Sequence, residues 1–231
     1  MKAVSEGTEE RWRVVSAEFE QSATRIDNAP APDLPEVAVA GRSNVGKSSL
    51  LNAFAHRRGL ARVSRTPGRT RLLNFFVVRL RGPGGDLKFR WIDLPGYGFA
   101  QAARPVREAF GPMIEGYLAE RDVLRGMVLL VDARRGMRDG EMDVLEYMSA
   151  RSLPTLLCAT KTDKLSASER GILGKKIVAP LREAGVPIDP RDVVLTSALK
   201  GTGLGDDPRR GGLARELAEL VADPPPDQDR P

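Results

Sequence analysis

A chain of 231 residues, 41 % hydrophobic and 29 % charged, is long enough for one sizeable core, and one domain with tails is expected. No apolar run approaches the length needed to span a bilayer. The first thirty residues, with Glu9 and Glu10, hold no apolar leader core, so a soluble, cytoplasmic protein without a membrane partner is expected. The single cysteine, Cys158, and the single histidine, His56, leave no disulfide framework and no cysteine- or histidine-rich metal centre to build.

The net charge of +5 is unevenly placed. Between Glu36 and Asp86 there is no acidic residue, and the window holds ten basic ones: Arg42, Lys47, Arg57, Arg58, Arg62, Arg65, Arg69, Arg71, Arg79 and Arg81. The rest of the chain carries 26 basic against 31 acidic residues. Such asymmetry has two readings, an arginine-rich composition or a face that binds a polyanion.

In chain order, residues 1–34 read as an N-terminal extension punctuated by Pro30 and Pro32, with Trp12 to Phe19 able to lie as an edge strand. A strand from Val37 to Ala40 runs into Gly41, Arg42, Ser43, Asn44, Val45, Gly46, Lys47 and Ser48, which fit the pattern GxxxxGK[ST]. Strand, glycine-rich turn and helix start aim backbone N–H groups and the positive helix end into one concavity that suits a triphosphate. Lys47 reaches the outer phosphates there, and the Ser48 hydroxyl takes one position on a Mg²⁺. The following helix is expected from Lys47 to about Arg57, burying Leu50, Leu51 and Phe54, with Gly59 as its stop. Residues 60–70 read as a long mobile loop. Two antiparallel strands, Leu72 to Leu80 and Leu87 to Ile92, flank a turn marked by Gly82, Pro83, Gly84 and Gly85.

The second of these strands delivers Asp93, Leu94, Pro95 and Gly96, an acid at a strand end and a glycine at a turn. In phosphoryl-transfer sites such an aspartate orients the metal and its waters, and the glycine N–H senses the terminal phosphate. A helix follows with Val106, Phe110, Met113 or Ile114, and Tyr117 or Leu118 on one face, kinked at Pro112. Then come strand Met127 to Asp132, helix Asp139 to Ala150, strand Thr155 to Thr160, a helix capped by Ser166 and Glu169 that reaches about Glu183, strand Val193 to Thr196, and a closing helix with Leu213, Leu217 and Leu220 on one face. Residues 223–231 read as a disordered Pro-rich tail. Alternating strands and helices indicate an α/β fold in three layers around a mostly parallel sheet.

Two strand ends choose the nucleotide. Thr160, Lys161, Thr162 and Asp163 form one, and Leu195, Thr196, Ser197 and Ala198 the other. The Asp163 carboxylate can accept from guanine N1–H and from the exocyclic amino group, Lys161 can lay its stem along the base, and the Ala198 N–H can donate to guanine O6. Adenine presents a lone pair at N1, lacks the exocyclic amino group and places a donor where guanine has O6, a mismatch on the order of 10²-fold or more in affinity.

These segments, GRSNVGKSSLLN, LARVSRTPGRTRLLNFF, WIDLPGYGFA, ATKTDKL and TSALKGTG, together resemble the EngB family of bacterial ribosome-assembly GTPases across residues 34 to about 222. The resemblance implies a P-loop G domain over 35–222 with a six-stranded, mostly parallel sheet and one antiparallel edge strand. It implies GTP and GDP as ligands, Mg²⁺ as cofactor, and GTP hydrolysis in late assembly of the large ribosomal subunit, whose precursor (rRNA and ribosomal proteins) is the partner, and through that role in cell division. By motif it assigns Gly68, Arg69, Thr70, Arg71 and Leu72 to a first switch, Asp93 to Gly96 to a second, and Ser48 and Thr70 to the Mg²⁺, with Asp93 acting through water. Related GTPases with an asparagine at the Asn44 position can use K⁺ there, which makes Asn44, with Lys47 and Thr70, a catalytic candidate. Ras-like enzymes place a water-orienting Gln after the second-switch glycine; here stands Tyr97, so slow intrinsic turnover is expected, and Tyr97 is either a packing aromatic or a direct participant. A nucleotide-gated rRNA-binding module with incidental turnover is the alternative, and a small-molecule kinase is disfavoured by the base-reading motif. Any contact with nucleic acid by the arginine loop would go to phosphates, with no DNA sequence readout.

Overall fold

The structure, a computed structural model, describes residues 11–61, 72–97, 106–186, 188–207 and 211–222. The first-switch residues Gly68, Arg69, Thr70 and Arg71, the arginines Arg62 and Arg65, and the tail 223–231 lie outside the described residues.

The sheet is centred where the sequence is most apolar. Strand β2 (Glu36–Gly41) is buried at every position and lies between β4 (Gly85–Asp93) and β5 (Leu124–Asp132), parallel to both. A strand covered on both faces reads as a continuous apolar run. Strands β6 (Thr155–Thr160) and β7 (Val194–Leu195) extend the parallel set beyond β5. On the other side β4 pairs antiparallel with β3 (Leu73–Gly82), and Gly82 stands opposite Gly85 so that only Pro83 and Gly84 turn the chain. The hairpin is tighter than its Gly- and Pro-rich sequence suggests. Arg81 and Asp86 pair in register, and the guanidinium meets both carboxylate oxygens at 2.7 and 3.1 Å.

Strand β1 (Arg13–Ala23) adds antiparallel to β3, which gives the order β1-β3-β4-β2-β5-β6-β7. The edge strand expected from Trp12 to Phe19 is therefore present and runs on to Ala23. The sheet has seven strands rather than six, because β3 carries buried Phe76, Val78 and Leu80 beside a row of backbone groups that need covering. Strand β1 covers that row, buries Ala17, and sets Phe19 edge-on against Phe76 at 5.6 Å between ring centroids. Two register shifts, at Val14/Ser16 and Phe19/Gln21, interrupt its ladder, as bulges do at sheet edges.

Alternation along the central strands makes the three layers. Val37, Val39, Val128 and Leu130 face one side, with α1 (Lys47–Phe54) and α5 (Leu213–Ala222); Ala38, Ala40, Leu129 and Val131 face the other, with α2 (Val106–Glu120), α3 (Asp139–Ser149) and α4 (Ala167–Glu183). Helix α1 buries Leu50, Leu51 and Phe54 as expected but ends three residues before Arg57. His56 turns to φ 50°, and Asn52 binds the backbone of Ala61 through both ends of its amide, at 2.7 and 2.9 Å. Arg57 then reaches the Ala17 carbonyl of β1 at 2.8 Å. Helix α2 breaks at Gly111 (φ 69°, ψ 167°) before Pro112, where proline removes an N–H and pushes its predecessor out of the helical region. The Ser166 and Glu169 capping box opens α4, and α5 buries Leu213, Leu217 and Val221, with Leu220 only partly covered.

Candidate nucleotide-binding site

The C-terminal ends of β2, β4, β6 and β7 meet at one rim. The turn after β2 reaches α1 through Gly46 at φ 116°, a conformation that favours glycine, and this N-cap offers no side chain to the first-turn N–H groups. Those donors and the helix dipole stay available for a phosphate. Two neighbouring residues of the β6 end fix the turn from behind. The Thr160 hydroxyl donates to the Val45 carbonyl at 2.7 Å, and Lys161 Nζ donates to the Asn44 carbonyl at 2.6 Å. Lys161 also meets Asp132 Oδ2 at 2.9 Å, so the end of β5 joins the brace.

The residues expected to read the base form a closed set. Thr162 Oγ1 donates to the Thr196 carbonyl at 2.9 Å, and Thr196 Oγ1 donates to the Ala159 carbonyl at 2.9 Å. Ser197 Oγ donates to Asp163 Oδ1 at 2.6 Å while accepting the Lys200 N–H at 3.1 Å. The Ser197 hydroxyl thereby holds the Asp163 carboxyl below the usual carboxylate range. Ala198 follows at the same rim, and Leu195 pairs with Ala159.

The phosphate side is built differently. Burial lowers the Lys47 pKa, partly offset by the negative Asp93 beside it. Burial in turn pushes Asp93 up to about 6, with Lys47 acting against the shift, and Asp93 Oδ1 is buried with no hydrogen-bond partner. An orphaned carboxylate oxygen at a strand end, beside a lysine at a helix start, fits a Mg²⁺ held through a water and ligated by a hydroxyl, phosphates and water. Gly96 packs onto this group so closely that a Cβ there would stand 3.1 Å from Lys47 Nζ and from Ser43 Oγ. Ser43 binds the second-switch stretch twice, its N–H to the Tyr97 carbonyl at 3.0 Å and its hydroxyl to the Gly96 carbonyl at 3.3 Å. Of the two readings of Tyr97, its position favours packing. The ring is 5 % exposed within the core, and burial with neighbouring Glu141 pushes its hydroxyl pKa well up.

A family model described as "50S ribosome-binding GTPase" matches residues 36–161. The "Probable GTP-binding protein EngB" of Anaeromyxobacter dehalogenans (strain 2CP-C) is 44 % identical over 217 residues, which cover 92 % of this chain and 98 % of that relative. The chain belongs to the EngB family of GTP-binding proteins. Another EngB relative, from Geotalea daltonii, is 49 % identical over 154 residues, 67 % of this chain and 71 % of its own length. The crystal structure of Aquifex aeolicus Era bound to GDP.AlF4- superposes with a TM-score of 0.55 at 21 % identity, covering 84 % of this chain and 57 % of that one, and so shares the fold. The chain is thus a guanine-nucleotide-binding protein of EngB type, and among the described residues no helix is long and apolar enough to cross a membrane.

Within this EngB chain the structure brings together the phosphate-loop residues, Asp93 to Gly96, and both base-reading strand ends. Thr70 and its first-switch neighbours lie outside the described residues, apart from half-buried Leu72. Sequence reasoning missed the end of β5. Asp132 ties Lys161 to Arg134, whose guanidinium meets both its oxygens at 2.9 and 2.7 Å, and these contacts hold the Asp132 carboxyl well below its ordinary range against its burial. The available signal was the run Asp132, Ala133, Arg134, Arg135 at a strand end.

Proposed function

We propose that this chain is a cytoplasmic, Mg²⁺-dependent GTPase that acts in late assembly of the large ribosomal subunit, and through that role in cell division. One observation carries the chemistry. Lys47 and the orphaned Asp93 Oδ1 lie at the same rim as an Asp163 already aimed by Ser197. In this reading Gly41 to Ser48 cradle the phosphates, Ser48 and Thr70 bind Mg²⁺ directly, Asp93 holds it through water, and Thr160 to Asp163 with Leu195 to Ala198 read guanine. Mg²⁺ would neutralise charge that develops on the phosphates. The partner follows from the family description, "50S ribosome-binding GTPase", and from the basic window around the phosphate loop.

Burial of Tyr97 supports slow intrinsic turnover, since a packed phenol does not orient water. Acceleration then comes from K⁺ at Asn44, which is exposed at φ 63°, or from the ribosomal particle. The test is multiple-turnover GTP hydrolysis in KCl and in NaCl, with and without large-subunit precursors. Stimulation by the precursor is expected. Equal rates in every arm, with nucleotide-dependent precursor binding retained, would instead favour the rRNA-binding module with incidental turnover.

A further inference from the structure

On the face of the sheet that carries α2, α3 and α4, the positions of β3 and β4 nearest the rim, Phe75 and Ile92, are buried, whereas Arg13, Arg79, Arg81, Asp86 and Lys88 at the hairpin end are exposed. Two cross-strand pairs at that exposed end join like charges. Arg79 stands in register opposite Lys88, and Arg13 opposite Arg81. The anions around them are largely engaged. Asp86 is paired with Arg81 and also feels the charge of Arg79; Glu20 and Asp33 are paired with Arg90, and Asp33 also feels Lys88. Glu18, opposite Val77, lies one row nearer the rim. Among the described residues the side chains of Arg13, Arg79 and Lys88 make no ion pair and no hydrogen bond.

Like charges directly opposite each other destabilise a sheet. Charge on an edge strand discourages edge-to-edge pairing, but β3 and β4 lie inside the sheet, so that purpose does not account for Arg79 and Lys88. An anion relieves a conflict of this kind, and guanidinium and ammonium groups spread over a flat surface suit phosphates. Among the described residues this face has no exposed aromatic side chain on which an unstacked base could lie. Phe19, the exposed aromatic of β1, stands beside Phe76 on the opposite face. Contact therefore goes to the backbone of a duplex and not to bases. Resting on the proposed ribosomal partner, we infer that this exposed sheet end binds the phosphate backbone of double-stranded rRNA, with Arg13, Arg79 and Lys88 as the phosphate contacts. The surface is separate from the nucleotide rim, since Lys88 stands upstream of Asp93 on β4 by roughly 17 Å of strand.

The experiment measures fluorescence anisotropy of a labelled RNA duplex of about 16 base pairs with the full chain in GTP, across a salt series, with sedimentation against large-subunit precursors, GTP binding and thermal melting followed in parallel. The Arg79→Gln, Lys88→Gln double variant is expected to bind the duplex on the order of 10-fold more weakly, with a log–log salt slope shallower by roughly 1.8, and to keep the parent affinity for GTP. Because a repulsion has been removed, it should melt at the parent temperature or up to roughly 4 °C above it. Lys88→Glu, which sets an opposite charge against Arg79, is expected to weaken duplex binding and again to melt no lower than the parent. If the parent binds the duplex and the double variant matches it in affinity and slope, this face is not the RNA contact, although RNA remains the partner. Weaker binding by both variants together with a lowered melting temperature would assign the cations to the stability of the sheet, which also overturns the proposal. If the parent binds neither the duplex nor the precursor, the reading of the partner fails with it. Equal competition by polyglutamate would make the face a dock for acidic protein, and tighter binding of the single strand than of the duplex would place the contact on bases; either overturns the proposal.

Discussion

The two halves of the nucleotide rim are finished to different degrees. At the base-reading corner Thr162, Thr196, Ser197 and Asp163 satisfy one another, with Asp163 already held in its ionised form by the Ser197 hydroxyl. At the phosphate corner burial shifts the pKa of Lys47 down and that of Asp93 up, each against the pull of the other's charge, and one Asp93 oxygen has no hydrogen-bond partner. A reader of a fixed shape gains from being preorganised, because nothing must be ordered on binding. In the proposed function the phosphate corner holds a metal and a terminal phosphate in one state and releases the phosphate in the other, so its missing contacts would be supplied by the ligand.

If the phosphate corner depends on its ligand, removing its fixed charge does the largest damage. Lys47→Ala is expected to lower the single-turnover rate of GTP hydrolysis by on the order of 10² to 10³-fold or more, the scale for loss of one preorganised electrostatic contact. Quenched-flow rates at saturating GTP would show it, and a loss under tenfold would remove Lys47 from the phosphates. Asp163→Asn comes next, with GTP affinity reduced on the order of 10²-fold and xanthosine triphosphate bound better than GTP, because the new amide donates to the O2 that replaces the amino group. Competition binding decides, and an unchanged order of preference would move the base elsewhere.

The legible parts were those in which a local rule and the tertiary outcome coincide. The Gly41 to Ser48 turn, the capping box at Ser166 and Glu169, and the break at Pro112 are short-range devices, and each stands where the sequence puts it. The end of α1 and the span of β1 were misjudged because both are set by partners far away in the chain. Arg57 stops against Ala17, and β1 is as long as the β3 edge it covers. The arginine-rich window divides in the same way. Arg57 and Arg81 are committed to internal contacts, whereas Arg135 and Arg138, exposed near Glu141, fall outside the window altogether. Charge counted along a sequence does not distinguish a guanidinium that closes a fold from one that waits for a partner.

The pH response sharpens the comparison. Folding raises the Asp93 pKa to about 6 from its ordinary value of 3.8, chiefly through burial. Between these values the metal-free folded chain binds more protons than the unfolded one, so this group's contribution to stability is full below the lower value and is lost as pH rises through the upper. A metal needs the carboxylate ionised, so Mg²⁺ binding should show the reverse dependence, unaffected well above pH 6 and falling toward tenfold per unit below it. Titrating Mg²⁺ into the GDP complex at stepped pH measures this. The Asp163 carboxyl, shifted downward, should leave GDP affinity in the absence of Mg²⁺ flat over the same range. A parallel fall in both would mean that the corners are not independent.

The smallest effect tests whether the base corner is preorganised. Ser197 Oγ is 2.6 Å from Asp163 Oδ1 and accepts the Lys200 N–H, so Ser197→Ala removes the bond that aims the carboxylate without touching the base-reading atoms. Hydrogen bonds to charged groups contribute about 1.5 to 3 kcal/mol, and the lower figure corresponds to about tenfold in GTP affinity. At pH 7 Asp163 stays ionised with or without Ser197, so the loss comes through orientation and not through protonation. Inosine triphosphate separates the two: it lacks the exocyclic amino group and asks only one bond of Asp163. If Ser197 acts by pointing a two-acceptor carboxylate, Ser197→Ala should weaken GTP more than inosine triphosphate, narrowing the preference between them. An equal loss for both nucleotides would make Ser197 a brace for the loop as a whole, with Asp163 aimed by the backbone alone.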